Sequence, residues 1–147
     1  VWPLWFTRGE VSQGLRWLRI ALGAPTPISP ARATALYAAG SLSIFPSDHE
    51  GARRYLREAL DAERALGNPF GEVRVLNSLA VLSIETGAFT DARDALGRCL
   101  EVLRSDPQRR GLPQVLANLA GVELALGHLA AARELLEESL PLLREGR

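Results

Sequence analysis

The stretch Leu76-Asn77-Ser78-Leu79-Ala80 returns 40 residues later as Leu116-Ala117-Asn118-Leu119-Ala120, and this recurrence decides the fold. An earlier copy, Leu36-Tyr37-Ala38-Ala39-Gly40, lies another 40 residues upstream. Twelve positions further on, a second small residue recurs at the same interval as Ala52, Ala92 and Ala132. A fixed period in this range is typical of one supersecondary unit stacked on copies of itself. The chain is therefore predicted to be a repeat array.

Each copy contains two segments in which apolar residues recur at helical spacing on either side of a short turn. This pattern predicts an all-α chain of helical hairpins. The first helices are expected near 31–45, 71–86 and 111–126, and the second helices near 10–22, 49–66, 89–104 and 129–144. We expect a single domain over 1–147, a fragment of a longer chain, made of a partial repeat 1–30 and repeats 31–70, 71–110 and 111–147.

Composition narrows the class of protein. The 17 basic residues, all arginine, balance 17 acidic residues, so no strongly basic surface for nucleic acid is expected. No apolar run approaches the roughly 18 residues of a membrane-spanning helix, and no signal peptide is recognisable. The only cysteine is Cys99, which excludes an internal disulfide and fits a reducing compartment. A cytoplasmic location is the expectation.

The motif Leu-x-x-Leu-Ala/Gly, then Gly-x-Phe/Leu-x-x-Ala, then a small residue at Ala59, Cys99 or Ser139, resembles the tetratricopeptide repeat. The resemblance implies a right-handed superhelical α-solenoid that acts as an interaction scaffold. The family's usual period is about 34 residues. The 40-residue period and the junction from Glu63 to Asn68 look like the extended repeats of bacterial transcriptional activators and signal-transduction ATPases.

No residue pattern indicates catalysis. His49 and His128 fall in predicted turns, where Asp48 is expected to cap a helix, and neither has the spacing of a zinc motif. Cys99 shares the small-residue position and is expected to be a buried packing thiol. The carboxylates of the second helices alternate with arginines, as on a solvated face. The sequence predicts neither an enzyme, nor a metal site, nor a cofactor.

The resemblance places the concave surface on the first helices. The positions that map there form a polar row with few charges: Thr34, Tyr37, Ser41, Arg74, Asn77, Ser78, Val81, Gln114, Asn118 and Gly121. Family members that clamp a peptide carboxylate use lysine in such a row, and this chain has none. Tyr37 and Arg74 are the expected anchors for a protein or peptide, because such side chains dominate binding hot spots.

Two other interpretations of the row stay open: a groove for a small-molecule effector of a transcriptional activator, and the wet surface of a spacer. A further candidate surface is the aromatic N-terminal edge formed by Trp2, Trp5, Phe6 and Trp17, through which two copies could stack into a homodimer. At the other end, Pro141 predicts that the last helix bends or stops.

Overall fold

A computed structural model describes residues 11–44, 47–106 and 111–145. Within these ranges the chain forms seven α-helices and no strand, which confirms the all-α prediction. In chain order the helices are α1 (Val11–Gly23), α2 (Pro30–Ile44), α3 (His49–Ala65), α4 (Pro69–Glu85), α5 (Phe89–Arg104), α6 (Leu112–Ala125) and α7 (Leu129–Glu145). Every predicted helix begins and ends within two residues of an observed one.

The helices fall into two compact units, Val1–Gly71 and Glu72–Arg147. In the first unit α2 packs against both α1 and α3, and in the second unit α6 packs against both α5 and α7. Most of the buried residues of the first unit are small or aliphatic, and they include Leu15, Ala33, Leu36, Ala39, Leu42, Ala52, Leu56 and Ala59. Those of the second unit include Val75, Leu82, Ala92, Leu96, Leu103, Leu116, Val122 and Ala132.

The predicted small-residue positions are buried in every copy. Ala52 and Ala92 are fully buried, and Ala132 is 1% exposed, as expected for points where helices cross closely. In the second unit the later small position also carries a hydrogen bond. The Cys99 thiol donates to the carbonyl of Val73 at 3.5 Å, and the Ser139 hydroxyl donates to the carbonyl of Pro113 at 3.2 Å. Both bonds join a second helix to the first helix of the same hairpin.

The turn inside each hairpin has the same backbone geometry. Residues 47, 87 and 127 all adopt positive φ, with values of 60°, 74° and 83°. In each turn the next amide donates to the carbonyl five residues back, for example from Asp48 to Ser43 at 3.0 Å. This is a Schellman ending, in which a left-handed residue satisfies the last carbonyls of a helix. Glycine fills the left-handed position in two copies, whereas the first copy has Ser47.

Replacing Ser47 with glycine is expected to stabilise the protein by about 0.5–1 kcal/mol. The left-handed conformation costs a non-glycine residue about 1–2 kcal/mol, part of which is offset by the greater backbone entropy of glycine in the unfolded chain. Urea unfolding followed by circular dichroism measures the change. The reciprocal variant Gly87→Ser is the control, and it should lose stability by a similar amount. If Ser47→Gly is less stable than the wild type, the positive φ of Ser47 does not strain this turn.

Of the two expectations for Pro141, that the last helix bends or that it stops, the second is wrong. Helix α7 continues through Pro141 to Glu145, so it does not stop at the proline. Pro141 is exposed. Water can therefore take the hydrogen bond that the carbonyl one turn earlier loses, which lowers the cost of an interior proline.

Candidate binding surface

The polar row of the second unit is joined by an amide ladder. Asn118 on α6 donates from Nδ2 to Oδ1 of Asn77 on α4 at 3.1 Å, and Gln114 donates from Nε2 to Oδ1 of Asn118 at 3.0 Å. Residues 40 or so apart in sequence are thus brought into contact across two first helices. An Asn side chain offers two donors and an acceptor oxygen with two lone pairs, which is more than these two bonds require of Asn118.

The remaining predicted residues of this unit lie near the ladder on α4 and α6. Arg74 is exposed, and Ser78 is half-buried one turn further along the same helix. Val81 is also half-buried, while Gly121 on α6 is exposed. A side chain built on Gly121 would meet nothing within 4 Å, so no close backbone approach requires glycine there. The row in the second unit is therefore an accessible surface of amide, hydroxyl and guanidinium groups.

In the first unit the predicted residues lie on one face of α2. Thr34 is exposed, whereas Tyr37 and Ser41 are half-buried at intervals of three and four residues. The Ser41 hydroxyl oxygen is buried and has no hydrogen-bond partner in this structure. A buried hydroxyl without a partner costs stability, because its lost hydrogen bonds to water are not replaced.

The aspartate, histidine and cysteine side chains considered above as candidates for catalysis or metal binding have structural roles. Asp48 caps α3 by accepting a hydrogen bond from the Gly51 amide at 3.0 Å, as predicted. His128 lies in the turn after α6, where its Nδ1 is 2.6 Å from Oε2 of the largely buried Glu123. Burial raises the pKa of the Cys99 thiol to about 12, so this residue is a neutral packing group at pH 7. The prediction of a buried cysteine is confirmed.

No metal-binding cluster is found in the part of the chain that the structure describes. Within the ranges 11–44, 47–106 and 111–145, no three His, Cys, Asp or Glu side chains are arranged so that they could hold a metal ion. Two surface depressions of about 700 and 610 Å³ lie on second helices of the first unit, the larger along α3 and the smaller along α1. Arginine and carboxylate groups line the larger one, and none of the predicted row residues lines either.

Sequence reasoning missed one recurrent feature, a buried glutamate near the end of a helix. Glu63 is 2% exposed and accepts a hydrogen bond from Asn68 Nδ2 at 2.8 Å, and Asn68 in turn caps α4 through the Gly71 amide at 3.1 Å. Glu123 and His128 form the equivalent pair, also five residues apart. A signal was present, since both pairs are Glu with a polar residue five positions later, after Leu-Gly. These glutamates stabilise turns and lie outside the row.

The N-terminal edge is only partly described. Trp17 lies on α1 with 58% of its surface exposed, beside Ile20 at 64%. The other predicted members of that edge, Trp2, Trp5 and Phe6, lie outside the described residues.

Comparison with known proteins gives a family and a fold. The family model described as the tetratricopeptide repeat matches residues 71–145. No curated protein matches the chain. A crystal structure of BtubC (BKLC) from P. vanneervenii superposes with a TM-score of 0.89 over 97% of this chain, at 20% sequence identity. The chain spans about 60% of the length of that protein. At this identity the likeness shows the fold alone.

Proposed function

Since the chain belongs to the tetratricopeptide repeat family, whose repeats generally mediate contacts between proteins, we propose that it is a non-catalytic scaffold that binds a protein or peptide through the polar row of its first helices. The observation that carries the proposal is the amide ladder from Gln114 through Asn118 to Asn77. Hydrogen bonding within the ladder holds these amides in fixed orientations, so less entropy is lost when they bind a partner.

The chemistry of the row favours an extended peptide segment as the ligand. Amide side chains can donate to a backbone carbonyl and accept from a backbone N–H, so they recognise main chain without requiring a charged residue. Arg74 adds to the row of the second unit a side chain of a kind that often dominates binding energy, and Tyr37 is the corresponding candidate on the row of the first unit. The proposed ligand is therefore a polypeptide held by its backbone, with one or two side chains anchored beside it.

We further propose a regulatory context in a bacterial cytoplasmic protein. Support comes from the 40-residue period, which is similar to that of repeat regions in bacterial activators and signal-transduction ATPases, and from the single, buried, protonated thiol. Among the described residues, no helix is both long and apolar enough to cross a membrane.

A peptide selection tests the binding surface. The protein is immobilised, peptides are selected from a random library, and their affinities are measured against the Asn77→Ala/Asn118→Ala variant and against Tyr37→Ala/Arg74→Ala. We expect a loss of about tenfold or more for the selected peptides, as for truncation of hot-spot residues. The control is Arg57→Ala/Glu58→Ala, two exposed residues on the second helix α3, which should bind unchanged.

The proposal fails if the selected peptides bind both row variants as tightly as the wild type. A thermal-shift screen with small molecules distinguishes the effector-binding alternative. A compound that raises the melting temperature with its concentration, and loses that effect in the row variants, would replace the peptide as the ligand.

A further inference from the structure

The amide ladder of the second unit has a direction. Both of its bonds run the same way, from Gln114 Nε2 to Asn118 Oδ1 and from Asn118 Nδ2 to Asn77 Oδ1. Asn118 is therefore bound through its nitrogen and through its oxygen. If either neighbour reversed its amide group, two donors or two acceptors would face each other at Asn118. The central asparagine thus fixes the orientation of both neighbouring amides.

The two ends of the ladder offer opposite groups. Within residues 11–44, 47–106 and 111–145, neither Nδ2 of Asn77 nor Oε1 of Gln114 has a hydrogen-bond partner. Gln114 is exposed, and Nδ2 of the half-buried Asn77 is not itself a buried atom. The ladder consequently presents a hydrogen-bond donor at its end on α4 and an acceptor at its end on α6.

We propose that the ladder binds the ligand's main chain in one polarity. Asn77 donates to a backbone carbonyl of the ligand, Gln114 accepts from a backbone N–H, and Asn118 is the positioning residue that sets this polarity. The assignment rests on the proposed function and specifies the chemistry of its ligand. A peptide backbone carries both an acceptor and a donor, so it satisfies both ends of the ladder, whereas a ligand with acceptors alone satisfies only the end on α4.

A substitution of equal size tests the donor role of Asn77. The probe is a peptide from the selection described above, with blocked ends and no ionisable side chain, so that an added charge meets no charge on the peptide. Asn77→Asp replaces Nδ2 by oxygen and keeps the oxygen to which Asn118 donates. We expect the Kd to rise by about tenfold or more. Unchanged affinity in Asn77→Asp would overturn the assignment.

An ester scan of the same peptide tests the acceptor role of Gln114. Each ester replaces one backbone N–H by oxygen and keeps a carbonyl. The ester that weakens binding most in the wild type should cause no further loss in Gln114→Ala, whereas in Asn77→Ala it should weaken binding as much as in the wild type. Two changes that fail to add indicate a direct contact between the groups concerned. Coupling of this ester to Asn77, or to neither residue, would contradict the polarity.

The positioning role of Asn118 has its own test. In Asn118→Asp an oxygen replaces the nitrogen that donates to Asn77, so Asn77 is expected to reverse its amide and turn its oxygen toward the ligand. Peptide affinity should fall as far as in Asn77→Asp, although no atom of Asn77 has changed. Adding Asn77→Ala to Asn118→Asp should then cost little more. A full additional loss on adding Asn77→Ala would show that Asn118 does not set the polarity.

Failure of the polarity and failure of the proposed function give different results. If Asn77→Ala/Asn118→Ala binds the selected peptides as tightly as the wild type, the row is not the binding surface and both proposals fall. If that variant loses binding while Asn77→Asp retains it, the row binds the peptide and only the polarity is wrong. The α3 control Arg57→Ala/Glu58→Ala should show the ester sensitivity of the wild type.

Discussion

Replacing Gly40 with alanine is expected to destabilise the protein by about 1–2 kcal/mol, although alanine is the better helix former. A Cβ built on Gly40 lies 2.6 Å from Cγ of Leu56 and 3.1 Å from the Leu56 backbone nitrogen. Leu56 is fully buried in α3, so its side chain has no space into which to move. The added methyl group must push the two helices of the first hairpin apart.

The matched control for this variant is Gly97→Ala. Gly97 lies inside α5, and a Cβ built there meets nothing within 4 Å. The same chemical change should therefore stabilise the protein, by up to about 1 kcal/mol. Urea unfolding followed by circular dichroism gives both values, and opposite signs are the expected result. If Gly40→Ala also stabilises, the close approach of α2 and α3 is wrong.

The period was sufficient to predict that position 40 needs a small residue, because Ala80 and Ala120 occupy the same place. It could not predict that even the methyl group of alanine is too large in the first copy. That difference rests on the 2.6 Å between a Cβ at position 40 and Cγ of Leu56, a distance that depends on the packing of every neighbour. A sequence pattern therefore predicts that a small residue is needed at a position, but not how much space its neighbours leave there.

The hydrogen bonds that Cys99 and Ser139 donate to backbone carbonyls could not be predicted from the sequence either. The shared position of Cys99 and Ser139 predicted a small, buried residue, and both side chains are buried in the structure. Their bonds to the carbonyls of Val73 and Pro113 depend on where the partner helix places its backbone. The sequence did carry one indication of these bonds: cysteine and serine occupy the same position of the repeat, and both side chains can donate a hydrogen bond.

For the candidate site, the period places Asn77 and Asn118 at nearly equivalent positions of adjacent first helices, and in the structure Asn118 donates a hydrogen bond to Asn77. The exposure of two leucines on α7 could not be predicted in the same way. The period assigns Leu136 and Leu140 the packing role of Leu96 and Leu100, yet the first two are 42% and 52% exposed in the structure, whereas the last two are buried.

Replacing Leu96 with alanine should have the largest effect of the substitutions considered, a loss of about 2–5 kcal/mol. Leu96 is fully buried on α5, in the unit where α6 packs against that helix. Truncation removes the transfer free energy of the lost methyl groups and leaves a cavity that a close-packed hairpin closes only in part. Urea unfolding of the purified variant provides the value.

The most direct test of the account compares Leu96→Ala with Leu136→Ala, the same substitution one period apart. Both leucines occupy the same position of the repeat, but Leu96 is fully buried on α5, whereas Leu136 on α7 is 42% exposed. Leu136→Ala should therefore cost no more than about 1 kcal/mol, at least about 2 kcal/mol less than the average loss expected for Leu96→Ala. Equal losses of unfolding free energy for the two variants would contradict it.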